Sequence, residues 1–241
     1  MQHPINILER YWNFTEFKPL QEEIINAVIE GEDTFALLPT GGGKSICFQI
    51  PALAQEGICI VISPLIALMK DQVQKLQEQG IKAMALTSGI PPQQLDTLLD
   101  NCIYGNYKFL YLSPERLQQE LVQQRIRQMN VNLIAVDEAH CISHWGNDFR
   151  PAYKNINILR QLQPGINVVA LTASATPKVV QDIIKELDFI KPKIFKQSFS
   201  RPNLEDRIQT NPTVPANALA NATRIPKKII NIIIDVTVIP I

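Results

Sequence analysis

Short apolar runs alternate with longer segments of helical period along most of this chain, and this alternation constrains the fold more than any other feature. The runs are TFALLP, ICIVIS, KFLYLS, NLIAVD and NVVALT, at residues 34–39, 58–63, 108–113, 132–137 and 167–172. Each run is nearly continuous in apolar residues, as expected of strands that are covered on both faces of a sheet. The pattern predicts an α/β fold, with a mostly parallel sheet and helices on both of its faces.

Helix-start signals accompany three of the predicted strands. Ser-Pro pairs stand at residues 63–64 and 113–114, and a Thr-Pro pair stands at 176–177. A hydroxyl side chain at the N-cap, followed by proline at the first helical position, favours a helix start. We therefore expect a helix after each pair, the first of them ending at Gly80. The apolar stripes of the first and third helices are Ile66, Met69, Val73 and Leu76, and Val179, Val180, Ile183, Ile184 and Leu187.

The composition excludes several classes of protein. Of the 241 residues, 46% are apolar, which is enough for a packed core and excludes a disordered or collagen-like chain. The 23 Lys and Arg residues balance the 23 Asp and Glu residues, so nucleic acid would have to bind through a local patch. The longest apolar stretch, residues 229–241, is interrupted by Asn231 and Asp235 and is shorter than the roughly 20 residues of a membrane helix. We therefore expect no contact with a membrane.

The N-terminus and the cysteines indicate a reducing compartment. The first residues, MQHPINILERYW, lack the basic and apolar regions of a secretory signal, which predicts a cytoplasmic protein. Cys47, Cys59, Cys102 and Cys141 lie far apart and form no CxxC pair. This spacing favours buried, reduced thiols, with a metal or redox role as the alternative.

The regular alternation covers residues 1–203 and then stops. Prolines punctuate the remaining sequence, which ends in an Ile-rich stretch. These prolines are Pro212, Pro215, Pro226 and Pro240. The sequence therefore predicts one domain over residues 1–203 and an irregular tail over residues 204–241.

A glycine-rich loop follows the first predicted strand, at the carboxyl edge where open parallel sheets bind ligands. Its sequence is LLPTGGGKS, residues 37–45, with Leu38 where the strict GxxxxGK[ST] pattern has its first glycine. Backbone N–H groups of such a loop surround phosphate oxygens, Lys44 reaches the β and γ phosphates, and Ser45 offers its hydroxyl to Mg2+. The alternative is a flexible turn with an incidental lysine. The predicted nucleotide-binding residues of the loop are Thr40, Gly41, Gly42, Gly43, Lys44 and Ser45.

Two adjacent carboxylates end the strand of LIAVDEAH, residues 133–140. We call Asp137 and Glu138 the acidic pair. Asp137 is suited to hold Mg2+, and Glu138 to orient or deprotonate the attacking water. The alternative is a strand that simply runs into a solvated turn, which the phosphate-binding pattern around Lys44 disfavours.

From the acidic pair onward the chain resembles a known family. The stretch DEAHCISHWGNDFRPAY, residues 137–153, is similar to the N-terminal RecA-like P-loop domain of RecQ DNA helicases, which belong to superfamily 2. Other motifs follow the family's order: FKPLQ at 17–21, SPLIALMKDQV from 63, LSPERL from 112, LTASAT from 171 and FSRPN at 199–203. The resemblance covers about residues 8–204.

The resemblance implies ATP as the nucleotide and Mg2+ as its metal. It implies that the catalytic residues are Lys44, Asp137, Glu138 and His140. It further implies that Gln21 hydrogen-bonds the adenine, with Lys18 beside it and Phe14 stacking on the base. For Phe14 and Phe17 the alternative role is ordinary core packing.

The aromatic segment, residues 141–153, brings large π-faces and a cation close to the acidic pair. Aromatic faces stack on unpaired bases of any sequence, so such a segment suits single-stranded DNA. The resemblance implies that Trp145, Phe149 and Arg150 couple DNA binding to hydrolysis. The alternative is a hydrophobic cluster that closes the domain.

Four further residues have implied roles. The resemblance implies that Ser174 and Thr176 link hydrolysis to unwinding through hydrogen bonds toward the acidic pair, although Thr176 is equally suited to be only a helix N-cap. Lys70 and Arg116, near the starts of helices at the same sheet edge, are candidate contacts to DNA phosphates. Their alternative is a solvated surface charge.

The function implied by the resemblance is that of a 3′-to-5′ ATP-dependent DNA helicase in repair and recombination, associated with the chromosome. Its partner would be single-stranded DNA, or a duplex or junction with a single-stranded tail. Such helicases use a second RecA-like domain, whose motifs the sequence lacks, so we expect a truncated or frameshifted chain whose tail begins that missing domain. The alternatives are an inactive fragment that binds nucleotide and single-stranded DNA, and a DEAD-box RNA helicase, a group that lacks the aromatic segment.

Overall fold

The computed structural model describes residues 2–87, 89–146 and 148–197, and the structural statements below concern these residues. The strands are β1 (Thr34–Leu37), β2 (Ile58–Ile62), β3 (Ala83–Leu86), β4 (Phe109–Leu112), β5 (Val131–Val136), β6 (Val168–Thr172) and β7 (Lys193–Lys196). The helices are α1 (Pro4–Trp12), α2 (Gln21–Ile29), α3 (Ile46–Ala54), α4 (Ile66–Glu78), α5 (Pro92–Tyr104), α6 (Pro114–Leu117), α7 (Glu120–Ile126), α8 (Ile158–Leu162) and α9 (Pro177–Glu186). Short 3-10 turns cover Ala139–Ile142 and Pro151–Asn155.

The strands form one parallel sheet in the order β3-β4-β2-β5-β6-β1-β7. This confirms the predicted α/β fold, and the five predicted runs are the five central strands. The apolar pattern does not predict the two edge strands, for different reasons. AMAL in β3 has no β-branched residue, and KIFK in β7 is charged and largely exposed.

The core lies on both faces of the sheet because successive strand residues point to opposite sides. Phe35 belongs to the layer covered by α5 to α9, whereas its neighbour Ala36 belongs to the layer covered by α2 to α4. α1 packs on α2 and α3 through a smaller apolar cluster that includes Ile7, Leu8 and Ile50. Every residue of β1, β2, β4, β5 and β6 is buried, as the predicted double coverage requires.

Two of the three helix-start signals are confirmed. The hydroxyls of Ser113 and Thr176 cap α6 and α9, each with proline at the first helical position. The helix expected after Ser63-Pro64 is present as α4, but Ser63 does not cap it, because Ser63 N–H donates to the carbonyl of Leu112 and α4 begins only at Ile66. The predicted end at Gly80 is confirmed by its left-handed φ of 76° directly after the helix.

The amino edge of the sheet is closed around one buried carboxylate. Asp33 precedes β1, and its Oδ2 lies 2.7 Å from Nη2 of Arg160. The same carboxylate accepts hydrogen bonds from the backbone N–H groups of Val168 and Ile190, each at 2.9 Å. Three segments that are distant in sequence are therefore joined at one residue.

The four cysteines are buried and free, which confirms the predicted reduced thiols. Burial raises the pKa of the Cys47 and Cys102 thiols to about 12, so neither is a reactive thiolate at neutral pH. Within the described residues, no helix is long and apolar enough to cross a membrane, and no three His, Cys, Asp or Glu residues are grouped to hold a metal ion. The FSRPN motif and the tail over 204–241 lie outside the described residues, so the boundary at 203 stays a prediction.

Candidate active site

The glycine-rich loop connects β1 to α3 at the carboxyl edge of the sheet. Gly41 and Gly43 have left-handed φ angles of 77° and 75°, which glycine adopts without steric cost. Gly42 N–H donates to the carbonyl of Pro39 at 2.9 Å, and a Cβ at Gly42 would lie only 2.8 Å from that same oxygen. The consecutive glycines are therefore required by the turn itself.

Lys18 and Gln21 lie directly against this loop. The Gln21 side-chain amide donates to the carbonyls of Gly42 and Gly43 at 3.3 and 3.2 Å. Lys18 Nζ donates to the carbonyl of Gly41 at 2.8 Å, and Lys18 N–H donates to Gln21 Oε1 at 2.9 Å. A Cβ on Gly43 would collide with the Gln21 amide. The structure thus brings together the residues predicted for adenine and for phosphate.

A cavity of about 440 Å³ lies beside this contact and is lined by Phe14, Phe17, Gln21 and Gly43, among others. Phe14 is 57% exposed, so core packing does not explain it. Phe17, by contrast, is partly buried and packs on the apolar cluster of α1, α2 and α3. The Phe14 ring is therefore accessible for the predicted stacking on a base, whereas Phe17 is part of the packed wall of the cavity.

Asp137 follows β5 and is buried, with an exposed fraction of only 5%. Burial first, and the neighbouring carboxylate of Glu138 second, raise the pKa of Asp137 to about 6. Its Oδ1 accepts a hydrogen bond from Glu138 N–H at 3.0 Å, and Glu138 has a left-handed φ of 48°. The positive charge of Lys44 lowers the pKa of both carboxyls, which shows that the glycine-rich loop and the acidic pair share one electrostatic site.

These residues fit a magnesium ion. A buried carboxylate beside a second one, with a raised pKa, is an uncompensated negative site that a cation would stabilise. Mg2+ prefers oxygen ligands, and the Asp137 carboxylate and the Ser45 hydroxyl are the predicted donors. When bound there, Mg2+ would supply positive charge to the phosphates of a nucleotide.

His140 joins the acidic pair to the neighbouring strand. Its Nδ1 lies 3.3 Å from Glu138 Oε2 and 2.8 Å from Thr172 Oγ1, at the end of β6. Hydrogen bonds with the side chains of Cys141 and Glu138 raise the pKa of His140 to about 10. The hydrogen bond from His140 is also the main reason that the pKa of Glu138 is lowered. Glu138 is thus an ionised carboxylate at neutral pH, as a residue that orients or deprotonates water must be.

Thr172 is a site residue that the sequence patterns do not identify. Its Oγ1 donates to the carbonyl of Ser174 at 3.1 Å, accepts from Ser174 N–H at 3.3 Å, and contacts His140. The Ser174 contacts use its backbone, while Thr176 caps α9 with its hydroxyl, so the capping alternative holds for Thr176. The coupling role of Ser174 and Thr176 stays a prediction. The available signal for Thr172 was its place at the strand end within LTASAT.

A buried polar chain also reaches Asp137. Gln49 Nε2 on α3 donates to the Tyr111 hydroxyl at 3.3 Å, and that hydroxyl donates to Gln72 Oε1 on α4 at 2.9 Å. The Gln72 side chain hydrogen-bonds Asp137 and lowers its pKa. No sequence motif marks this chain, since its members come from two helices and a strand.

The aromatic segment divides into buried and exposed parts. Tyr153 is buried, and its hydroxyl donates to the carbonyl of Asp137 at 3.2 Å, so the core-packing alternative holds for it. Trp145 is 64% exposed, and the rings of His144 and Phe149 lie 3.8 Å apart. Arg150 Nη1 donates to the carbonyl of Pro64 at 2.8 Å, which ties the segment to the turn before α4.

The two predicted phosphate contacts have different environments. Lys70 is exposed on α4. Arg116 is buried, and its guanidinium donates to the carbonyl of Thr87 and to Gln119 Oε1, so it is not a solvated surface charge. Arg116 and Arg150 nevertheless line one cavity of about 500 Å³ at the carboxyl edge. A role for Lys70 and Arg116 in DNA binding stays a prediction.

A family model and individual relatives were both compared with the sequence, and both identify helicases. The sequence model of the DEAD/DEAH box helicase family matches residues 18–183. The chain is 46% identical over 205 residues to the ATP-dependent DNA helicase RecQ of Bacillus subtilis (strain 168), covering 84% of this chain and 35% of that protein. It is 42% identical over 200 residues to the ATP-dependent DNA helicase RecQ of Haemophilus influenzae, covering 83% and 32%. The chain thus spans about a third of the length of these curated relatives.

Solved structures support the fold. The Pyrococcus furiosus Hef helicase domain matches with a TM-score of 0.59 at 20% identity, covering 86% of this chain and 41% of that one. A hypothetical ATP-dependent RNA helicase from Sulfolobus tokodaii matches with a TM-score of 0.62 at 18% identity, covering 82% and 57%. These structures show the fold, and the match of the family model over residues 18–183 shows that the chain belongs to the DEAD/DEAH box helicase family, a family of ATP-dependent enzymes.

Proposed function

We propose that this chain is the first motor domain of a RecQ-type ATP-dependent DNA helicase, which moves 3′ to 5′ and acts in repair and recombination. One observation carries the proposal. The acidic pair lies in the field of Lys44 on one side and contacts Thr172 through His140 on the other, next to the aromatic segment. Nucleotide chemistry and a surface suited to single-stranded DNA therefore meet at one sheet edge.

The residues divide the hydrolytic work by their charge. Lys44 and the N–H groups of the glycine-rich loop neutralise phosphate charge, and Gln21 and Lys18 exchange their loop contacts for contacts to the adenine. Asp137 and Ser45 would hold Mg2+, which would supply positive charge to the phosphates. Glu138, kept ionised by His140, orients or deprotonates the attacking water.

The DNA-binding part of the proposal is based on local chemistry, since the net charge of the chain is zero. Trp145 is 64% exposed, and Arg150, five residues further along the chain, lines a cavity of about 500 Å³ at the carboxyl edge. Stacking of unpaired bases on such a surface needs no particular base sequence. We propose a cytoplasmic location on the chromosome, because that is where this substrate lies.

The test is ATP turnover by the 241-residue chain with and without single-stranded DNA, with Lys44→Ala as the blank. Turnover that DNA stimulates and that Lys44→Ala abolishes supports the helicase motor. RNA of the same sequence, run in parallel, tests the preference for DNA. Failure to bind Mg2+-ATP at all would contradict the proposal.

A second candidate function is a nucleotide- and DNA-binding fragment with little turnover. The 241-residue chain covers 35% of the Bacillus subtilis RecQ protein, so the isolated chain in this assay carries only part of what that relative contains. An arginine supplied by a second domain is worth about 10³ to 10⁵ in rate in related phosphoryl-transfer enzymes. Binding of ATP and DNA, with turnover at the level of Lys44→Ala, would identify this second function.

A further inference from the structure

Lys178, the second residue of α9, covers one face of Trp145. Its Nζ lies 3.2 Å from the centroid of the indole ring. A positive charge at the N-terminus of a helix is unfavourable, and an aromatic face compensates a cation placed there. The contact joins α9 to an exposed aromatic ring of the aromatic segment.

A second contact lies one turn further along the same face of α9. The Ser143 hydroxyl donates to Asp182 Oδ2 and also accepts a hydrogen bond from Trp145 N–H at 3.1 Å. Residues four apart on a helix share one face, so Lys178 and Asp182 hold the same short stretch of chain. The stretch from Ser143 to Trp145 is therefore fixed to α9 at two points.

The start of α9 is itself tied to the nucleotide site. Thr176 caps the helix, and the chain just before it is held by the hydrogen bonds between Ser174 and Thr172. Thr172 in turn contacts His140, which contacts Glu138. A shift of the aromatic segment relative to α9 would thus act on the strand end that contacts the acidic pair.

We propose that Lys178 and Asp182 are positioning residues that form a latch on the aromatic segment, and that an unpaired nucleic-acid base displaces Lys178 from Trp145. The proposal rests on the proposed function, since it names the contact that single-stranded DNA must replace. A stacked base is worth more than an exposed cation–π contact, so DNA releases the latch. Lys178 therefore weakens DNA binding although it is a cation.

The latch can be tested without DNA. The chain has two tryptophans, so Trp12→Phe leaves Trp145 as the sole reporter. In that background Lys178→Met should increase quenching of Trp145 by acrylamide, and Lys178→Arg, which keeps a cation over the ring, should restore the parent value. Lys185→Met removes the same charge from an exposed position on α9 and should change nothing. Equal quenching in Lys178→Met and its parent would overturn the latch.

The competition is tested by titrating these variants with single-stranded oligothymidylate and following Trp145 emission. Lys178→Met should bind about two- to fivefold more tightly than its parent, which matches the worth of an exposed cation–π contact. Lys185→Met should bind equally or slightly more weakly, as expected when a distant positive charge is lost. Weaker binding by Lys178→Met than by Lys185→Met would overturn the competition and make Lys178 a phosphate contact.

Asp182→Asn gives an independent check, because it weakens the other point of the latch without removing a cation. Asp182→Asn should also increase the quenching of Trp145 by acrylamide. The control Asp188→Asn, on the exposed turn after α9, should leave the quenching unchanged. Equal quenching in the two variants would count against the contact between Ser143 and Asp182 as the second point of the latch. If the latch variants behave as expected in acrylamide but no variant binds oligothymidylate, the proposed DNA function fails and takes the competition with it, while the latch contact stands. The two failures are thus distinguishable.

Discussion

Asp33 and Asp137 lie at opposite edges of one sheet and are almost equally buried, with exposed fractions of 6% and 5%. At the amino edge, Asp33 has a guanidinium and two backbone N–H groups as partners. At the carboxyl edge, Asp137 accepts hydrogen bonds from one backbone N–H and from the Gln72 side chain, but burial desolvates it and it lies beside a second carboxylate, and its pKa is raised to about 6. The difference shows that burial alone does not define a role: a satisfied acid joins segments, and an under-compensated acid is prepared for a ligand.

The backbone at the acidic pair is strained. Glu138 adopts a left-handed φ of 48° directly after the acidic strand end, a conformation that costs a non-glycine residue roughly 1–2 kcal/mol. Such strain concentrates at functional sites, where the surrounding structure enforces it. Left-handed φ angles of 49° and 48° also occur at Asp188 and Lys191, beside Ile190 of the Asp33 junction, so backbone strain by itself does not distinguish the two edges.

The largest effect is expected from a substitution at the amino edge of the sheet, which should lower the free energy of unfolding. Asp33→Ala removes the carboxylate partner of the partly exposed Arg160 guanidinium. It also leaves the N–H groups of Val168 and Ile190 without their acceptor. A buried donor without an acceptor costs about 1–3 kcal/mol, so we expect a total loss of about 3–5 kcal/mol. Urea unfolding followed by circular dichroism measures the loss. Asp96→Ala, which removes a partly exposed partner of Arg125, is the control and should cost far less, because solvent screens an exposed ion pair. Equal losses in the two variants would contradict the role assigned to Asp33.

The next largest effect is expected at the carboxyl edge, where a substitution should weaken nucleotide binding and leave the protein folded. Lys44→Ala should weaken nucleotide binding by about 10- to 100-fold, because a hydrogen bond to a charged group is worth about 1.5–3 kcal/mol. Titration calorimetry with Mg2+-ATP measures the change. Lys75→Ala, on the exposed face of α4, should bind as the parent does. An unchanged nucleotide affinity in Lys44→Ala would contradict a phosphate-binding site in the glycine-rich loop.

An Asp→Asn substitution should change the free energy of unfolding in opposite directions at the two edges. Asp137→Asn removes a carboxyl whose folded-state pKa of about 6 lies above its ordinary value of 3.8, so the ionised form destabilises the fold. We expect the free energy of unfolding at neutral pH to rise by up to about 3 kcal/mol, since the pKa lies about two units above its ordinary value and one pKa unit corresponds to about 1.4 kcal/mol. Asp33→Asn should instead lower it. Binding of Mg2+-ATP should be lost in Asp137→Asn.

The pH dependence sharpens that prediction. Above about pH 6 the carboxyl of Asp137 is ionised in both states, and the gain from Asp137→Asn should be complete. As the pH falls toward 3.8, protonation of the folded parent removes the penalty, and the gain should shrink. Unfolding curves at about pH 7.5 and about pH 4.5 compare the two conditions. An equal gain at both would contradict the raised pKa.

The smallest effect compares two buried threonines at opposite edges. Thr172→Val removes the contact with His140, and Thr34→Val removes a hydrogen bond to the carbonyl of Glu32. Each should cost about 1 kcal/mol of stability, the usual net worth of one hydrogen bond. Only Thr172→Val should also reduce the DNA-dependent part of ATP turnover. A similar reduction in Thr34→Val would show that stability, and not the contact with His140, governs turnover.

Much of the site is predictable because its signals are local. The glycine-rich loop, the acidic pair at a strand end and the caps at Ser113 and Thr176 each depend on residues within one turn or one strand. The aromatic segment is recognisable for the same reason. The partner of His140 is not predictable in this way, since Thr172 lies 32 residues away and meets it only because β5 and β6 are neighbours.

The sequence by itself determined the α/β fold, its five central strands, the glycine-rich loop and the acidic pair, since periodicity and turn chemistry act over a few residues. Only the tertiary structure decided the strand order, the edge strands β3 and β7, the closure around Asp33, the raised pKa of Asp137 and the contact of Lys178 with Trp145. Each of these depends on burial or on pairs that are distant along the chain; Asp33, for example, joins residues 127, 135 and 157 positions away. Solvent exclusion and strand pairing, which create these environments, exist only once the chain has folded.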